Sequence, residues 1–357
     1  MRIVIVVGTR PTFIDLAPII HNLKDRSELL IYNTSQHYDR EMSDIFIEQL
    51  NIPEPYRDLE SKSGTHAQQT SRIMVRCEEA LIEDRPDIII VKGDTNSALG
   101  AALAAAKLKI PIIHIEAGCR AFDRTLPEEI NRVIITHITT LHFPPTTNCK
   151  NNLLREGIDE DDIGVIGHPV VDSINLLADK ISNNIHKNEY YYVTIHRDFN
   201  TDNKDRLEHI LSTLNEVAED RDVIFAIHPR TKKKIEEYGF NKLLSNIIIK
   251  PPVDYITSLS LIKHAYAVIT DSGGLTKESC ILGTPLITLR PNTEWTETLQ
   301  GYANQLAFAD GNNILECIKR LDEHYEEAKE SIRRLNIFGK VGISKYIVDN
   351  ILEYRRI

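Results

Sequence analysis

The sequence predicts an α/β protein of two domains, each built on a parallel sheet. Three observations carry this. Short β-branched runs alternate with amphipathic segments of helical spacing, which is the pattern of βαβ units. The alternation runs through the first half and starts again near residue 190. A chain of 357 residues with 42% hydrophobic side chains holds enough apolar material for two cores of ordinary size.

In the first half the strands are read at "RIVIVV" (2–7), "LLIYNT" (29–34), "DIIIVK" (87–92) and "IPIIHI" (110–115). Between them "LAPIIHNLKD" (16–25) and "AQQTSRIMVRCEEALIED" (67–84) have helical spacing, and the Ala-rich "SALGAALAAAKLK" (97–109) reads as a wholly buried helix. The second set of strands is "YYYVTI" (190–195), "DVIFAI" (222–227), "NIIIK" (246–250), "YAVIT" (266–270) and "PLITL" (285–289). The intervening "GHPVVDSINLLADKISNNIHKNE" (167–189) begins with Gly-His-Pro and ends polar, as a linker does, and sets a boundary near residue 170. The expected domains are 1–169 and 170–343, two similar halves with a cleft between them, followed by a last helix in 344–357.

Composition excludes several classes. A net charge of -10 lacks the basic footprint that non-specific nucleic-acid binding needs, although it leaves room for a locally positive pocket. No apolar run approaches the roughly 20 residues of a membrane helix. The opening "MRIVIVVGTRP" does not read as a signal peptide, so a cytoplasmic protein is expected. The five cysteines are widely spaced with no CxxC, which suggests free thiols and no zinc or other metal site.

In open parallel sheets ligands bind beyond the carboxyl ends of the strands, so the residues after each strand are the candidates. After the first comes "GTRPTFIDLAP" (8–18), where Thr9 can cap a helix and Arg10 sits at its anion-favouring N-terminus. After the third, "KGDTNS" (92–97) presents Asp94, which could also be only the N-cap of the Ala-rich helix. After the fourth, "EAGCRAFDRTLPEEINR" (116–132) brings Glu116, Arg120, Asp123, Glu128, Glu129 and Arg132 into one stretch. In the second half His196 and Arg197 follow one strand, and His228 and Arg230 the next. Ser272-Gly273-Gly274 leads into a helix, where glycines let backbone N–H groups approach a phosphate. Together these loops describe a diphosphate-binding cleft.

The series "GTRP", "QHYD", "GDT", "EAG" with Arg120, "PEE" with "NR", "HR", "HPR", "DSGG" with Glu278, and "LR" followed by "TEW" resembles the non-hydrolysing UDP-N-acetylglucosamine 2-epimerases, in order and spacing, over about residues 1–310. The resemblance implies two Rossmann-like domains facing a central cleft, as in B-type glycosyltransferases, with the last helix packed back on the first. It implies a cofactor-independent inversion of C2 in a UDP-2-acetamido sugar, UDP-GlcNAc to UDP-ManNAc, by elimination and re-addition of UDP. By motif match, Asp94, Glu116 and Glu128 are the acid–base candidates, and His196 with Arg10 would neutralise the departing diphosphate. His228 would position UDP, Ser272, Gly273 and Gly274 would bind phosphate, Glu278 would hold the ribose, and Arg120 and Arg132 would organise the carboxylates. A UDP-sugar substrate and a homodimer are the implied partners. A relative acting on a UDP-diacetamido uronic acid, and a UDP-sugar glycosyltransferase on the same scaffold, are the alternatives.

The chain departs from the family pattern in three places. Asp15 stands where the family usually has Lys, "THITT" (136–140) lacks two usual acids, and "GKVG" (339–342) carries Lys340, which is expected to replace the missing cation. Gln36 and His37 match the family's second, activating site, whereas Ser63-Gly64 stands where an Arg-Gln pair is expected. Weak or absent activation by UDP-GlcNAc follows from that departure.

Overall fold

The computed structural model describes residues 1–35, 47–62, 64–183, 185–308 and 313–354. The "QHYD" motif with Gln36 and His37, and Ser63, therefore lie outside the described residues. The chain divides into two compact units, Met1–Leu176 with Ile337–Ile357, and Leu177–Asn336.

The first unit carries a six-stranded sheet of β1 (Arg2–Val7), β2 (Glu28–Asn33), β3 (Arg57–Asp58), β4 (Ile88–Lys92), β5 (Ile112–Ile115) and β6 (Leu141–Phe143), in the order β3-β2-β1-β4-β5-β6. Every pairing is parallel. Parallel strands covered on both faces read as unbroken apolar runs, and β1 and β4 do so. Val4, Val6, Ile89 and Val91 pack with Ala98, Ala101, Ala102 and Ala105 of the Asn96–Lys107 helix, whose small side chains bring it close to the sheet. The alternate positions of β4, ending at Lys92, face the opposite layer. The helix His66–Asp84 begins at a reciprocal capping box between Thr65 and Gln68.

The helix Val170–Leu176 packs against the Arg10–Leu23 helix, so this unit runs on to Leu176 rather than ending near residue 170. The last helix, Ile343–Glu353, buries Ile347, Val348 and Ile351 and is pinned to the same unit. Ser344 N donates to Asp172 Oδ2 (2.7 Å), and Arg26 pairs with Asp349 (2.7 Å).

The second unit repeats the topology. Its strands are β7 (Tyr190–Thr194), β8 (Asp222–Ala226), β9 (Ile248–Lys250), β10 (Ala267–Thr270), β11 (Leu286–Thr288) and β12 (Asn304–Leu306), ordered β12-β11-β10-β7-β8-β9, again all parallel. The run "YYYV" divides with a period of two. Tyr191 and Val193 enter one core layer, and Tyr190 and Tyr192 the other. Strands β3 (RD), β6 (LHF) and β12 (NQL) have two or three residues each and, unlike the equally short β9 and β11, sit in no β-branched run that would mark them in the sequence. Among the described residues no helix is long and apolar enough to cross a membrane.

Candidate active site

In each unit the strand order reverses at one point, between β1 and β4 in the first and between β7 and β10 in the second. A crevice opens beyond the strand ends at such a point because successive crossovers leave it on opposite faces. The residues that follow these four strands are Arg10 and Asp15, Asp94, His196, and Ser272.

In the first unit Asp94 is not the cap of the Ala-rich helix. That role belongs to Thr95, whose side chain accepts from Ala98 N (3.2 Å), so the Asp94 carboxylate is left for Arg132 (2.6 Å). Arg132 also holds Glu129 (2.9 Å), and Asn131 donates to the Asp94 carbonyl (2.8 Å). Burial raises the Asp94 carboxyl above its ordinary range. Arg132 and Lys92 oppose the rise, while the charges of Glu116 and Glu128 add to it. Asp94 therefore lies within electrostatic range of both Glu116 and Glu128. Glu128 lies in the first turn of the helix Pro127–Ile138 and is half-buried.

Glu116 follows β5 with a left-handed backbone, φ 68°, an unusual conformation for a residue with a Cβ. Its Oε2 accepts from Lys92 Nζ (2.6 Å) and from His168 Nε2 (3.0 Å). Val170 N donates to His168 Nδ1 (3.1 Å), so the neutral imidazole carries its proton on Nε2 and donates it to Glu116. Lys92 Nζ also meets Asp15 Oδ2 (2.6 Å). Burial alone would push the Lys92 amine down, but the Asp15 and Glu116 carboxylates outweigh it and hold the amine above its ordinary value. Asp15, Glu116 and His168 converge closely enough to ligate a metal ion, yet the Lys92 ammonium already bridges the two carboxylates. The cation beside Asp15 is thus Lys92 and not Lys340, which is exposed.

Arg120 does not organise these carboxylates. Its buried guanidinium turns to Glu156 (2.7 and 2.6 Å), the Cys119 carbonyl (2.7 Å) and Thr136 Oγ1 (2.9 Å). Thr136 opens the "THITT" stretch, so one departure from the family pattern serves this network. Arg10 is exposed at the first position of its helix, with Pro11 behind it. Thr9 makes no capping bond and instead shares a hydrogen bond with Thr12 (2.8 Å).

In the second unit Asp271 links the two strand ends. It is fully buried and accepts from His196 N (3.1 Å), Arg197 N (2.9 Å) and Asn200 Nδ2 (3.0 Å), and it meets His196 Nδ1 at 3.0 Å. Burial alone would raise the Asp271 carboxyl, but the His196 imidazole and these amides hold it below the usual range. With Nδ1 fixed, Nε2 is the nitrogen of His196 that can meet a ligand. The His228 ring lies 5.7 Å from that of His196, and burial, with His196 beside it, pushes its imidazole below the ordinary histidine value. His228 caps the helix Pro229–Tyr238, accepting from Arg230 N (3.2 Å). Ser272 caps the helix Gly273–Leu282 (3.4 Å from Leu275 N). A Cβ on Gly273 would fall 2.6 Å from Glu294 Oε1, so no larger residue fits there without displacing Glu294. Glu278 is buried further along the same helix.

The motif reading missed the interior partners Lys92, His168, Asp271 and Asn200. Lys92 and Asp15 do carry a signal, since Lys92 is the one charge in its apolar strand and Asp15 the one acid in its helix.

A sequence model of the family described as UDP-N-acetylglucosamine 2-epimerase matches residues 21–352. The chain belongs to this family. A relative from Methanocaldococcus jannaschii, called UDP-N-acetylglucosamine 2-epimerase, is 45% identical over 338 residues, covering 90% of this chain and 92% of its own. A Pseudomonas aeruginosa relative called UDP-2,3-diacetamido-2,3-dideoxy-D-glucuronate 2-epimerase is 37% identical, covering 89% of this chain and 92% of its own. The crystal structure of the M. jannaschii UDP-GlcNAc 2-epimerase in complex with UDP-GlcNAc and UDP superposes with a TM-score of 0.89 at 42% identity, covering 99% of this chain and all of that one. Within the family, the two-domain α/β architecture is the scaffold on which the strand-end residues above are carried.

Proposed function

We propose that this chain epimerises C2 of a UDP-2-acetamido sugar, converting UDP-GlcNAc to UDP-ManNAc without a cofactor. The C2 proton passes to a carboxylate as the C1–oxygen bond to the diphosphate breaks. A glycal with a C1–C2 double bond remains, and UDP then re-adds at C1 as a carboxyl returns a proton to the opposite face of C2. Asp94, Glu116 and Glu128 are the acid–base set. Carboxyls that feel one another differ in proton affinity, so one is protonated while another is ionised. His196, steadied by Asp271, and Arg10 stabilise the departing diphosphate. His228 positions UDP, Ser272, Gly273 and Gly274 meet phosphate oxygens, and Glu278 accepts from the ribose. Arg132 orders Asp94.

The observation that carries this reading is the pair of carboxylates beyond adjacent strand ends, Asp94 held by Arg132 after β4 and Glu116 held by Lys92 and His168 after β5, in a chain of this family. The Pseudomonas relative favours a second reading, in which the sugar is a diacetamido uronic acid. We further propose a homodimer in the cytoplasm, where the described cysteines stay as free thiols.

The test is a proton NMR time course with UDP-GlcNAc in heavy water. Deuterium should enter C2 with UDP still attached. Intact substrate without exchange, together with turnover of the uronate, would support the second reading. Release of free sugar or transfer to an acceptor would sink both.

A further inference from the structure

We propose that Lys92 is the positioning residue for Glu116, and that Asp15 is its buried counter-ion and not an inactivating change. The inference rests on the epimerase reading for its catalytic consequence. Its geometry lies wholly within the first unit. Lys92 is the last residue of β4 and is paired in register with Ile115, so its side chain rises beside Glu116, the next residue of the neighbouring strand.

The ammonium makes two short contacts, 2.6 Å to Asp15 and 2.6 Å to Glu116, with only 9% of its side chain exposed. Leaving two buried carboxylates together without a cation would be costly, and one ammonium between them resolves this. Asp15 fixes Lys92 from the helix Arg10–Leu23, and His168 supplies a second donor to the same Glu116 oxygen. Glu116 is thereby held in one orientation and charged. The usual family cation at position 15 is delivered here from the strand instead of the helix, so Asp15 and Lys92 form one transposed unit. Among the described residues, the charged or titratable groups near Glu116 include Lys92, Asp15, His168, Asp94, His114 and Cys119. Of these, Lys92 brings an ammonium to hydrogen-bond distance of Glu116.

The experiment compares four variants with the wild type: Lys92→Met, Asp15→Asn, Asp15→Asn/Lys92→Met and the exchange Asp15→Lys/Lys92→Asp. Two readouts are used. One is kcat and KM for UDP-GlcNAc. The other is the carbon-13 NMR signal of the Glu116 side-chain carboxyl, which needs no turnover. Lys92→Met should lower kcat about 10²-fold with little change in KM, because the lost interaction orients a reacting group and does not hold substrate. Its Glu116 signal should shift toward the protonated form at neutral pH. The exchange variant should recover most of the lost kcat together with the wild-type Glu116 signal, the second of which a purely structural lysine would not have moved. Asp15→Asn/Lys92→Met removes one charge of each sign, so it leaves the net charge of the cluster unchanged and tests the idea even where Lys92→Met fails to fold. It should show the same kcat loss and the same Glu116 shift.

An active wild type with kcat and Glu116 signal unchanged in Asp15→Asn/Lys92→Met would overturn the inference and leave the epimerase reading intact. A wild type that exchanges no deuterium, with a Glu116 signal that still follows Lys92, would defeat the epimerase reading while the pairing stands.

Discussion

Replacing Arg120 with Met removes the guanidinium and keeps most of its volume. Four hydrogen bonds are lost, two to the Glu156 carboxylate and one each to the Cys119 carbonyl and Thr136 Oγ1. The arginine side chain is 2% exposed and Glu156 is 25% exposed. Glu156 therefore recovers water contact, which discounts the ion pair, whereas the Cys119 carbonyl stays buried without this donor. Hydrogen bonds to charged groups are worth roughly 1.5–3 kcal/mol each, and after the discount a net loss of about 3 kcal/mol is expected. For a unit of this size that lowers the unfolding midpoint by about 6–12 °C. The assay separates the units, because the single tryptophan, Trp295, lies in the second. Far-ultraviolet circular dichroism should show early loss of structure while tryptophan fluorescence keeps its wild-type midpoint. Activity of the folded variant should be close to normal. A large rise in KM or fall in kcat at an unchanged midpoint would refute this reasoning and return Arg120 to the catalytic carboxylates.

Acid should weaken the first unit through its buried histidines. Burial pushes His114 down to about 3, although its Nε2 hydrogen-bonds the Gly93 carbonyl, and burial lowers His142 as well. Between the ordinary histidine value and that depressed one the unfolded chain binds more protons, so stability is full above about pH 6.5 and falls as pH falls, by about 2 kcal/mol for His114 between pH 6.5 and 5. His114→Gln should flatten the midpoint-against-pH curve, and an unaltered slope would argue against the assignment. Burial pushes the Cys77 and Cys280 thiols up to about 12, so a thiol reagent at pH 8 should label neither until denaturant is added; rapid labelling of the folded protein would count against this. Gly118→Ala places a Cβ 2.2 Å from the Cys149 carbonyl oxygen at a φ of 78°, and should cost more than ~2 kcal/mol; a midpoint equal to the wild type would show that the loop relaxes freely. Asp271→Asn leaves His196 without its anionic partner, so kcat should fall about 10²-fold with little change in the fluorescence midpoint; unimpaired turnover would remove His196 from the mechanism.

What the sequence determined by itself was whatever is encoded by nearest neighbours along the chain. The period of two in "YYYVTI" and the unbroken β-branched run "RIVIVV" depend on local backbone preference and burial, so the longer strands were legible, and with them the loops that carry His196, Ser272 and Glu116. The motif series marked the family for the same reason, since each motif is contiguous. Strands β3, β6 and β12 were not legible, because they lack the β-branched run that marks the equally short β9 and β11, and pairing with a neighbour makes them strands. The electrostatic partners were also decided only by tertiary structure. Arg120 lies four residues from Glu116 in sequence yet pairs with Glu156, while Lys92 reaches Asp15 across a strand-to-helix contact. A long charged side chain takes whichever opposite charge the packed core leaves within a few ångströms, and the sequence does not record that distance.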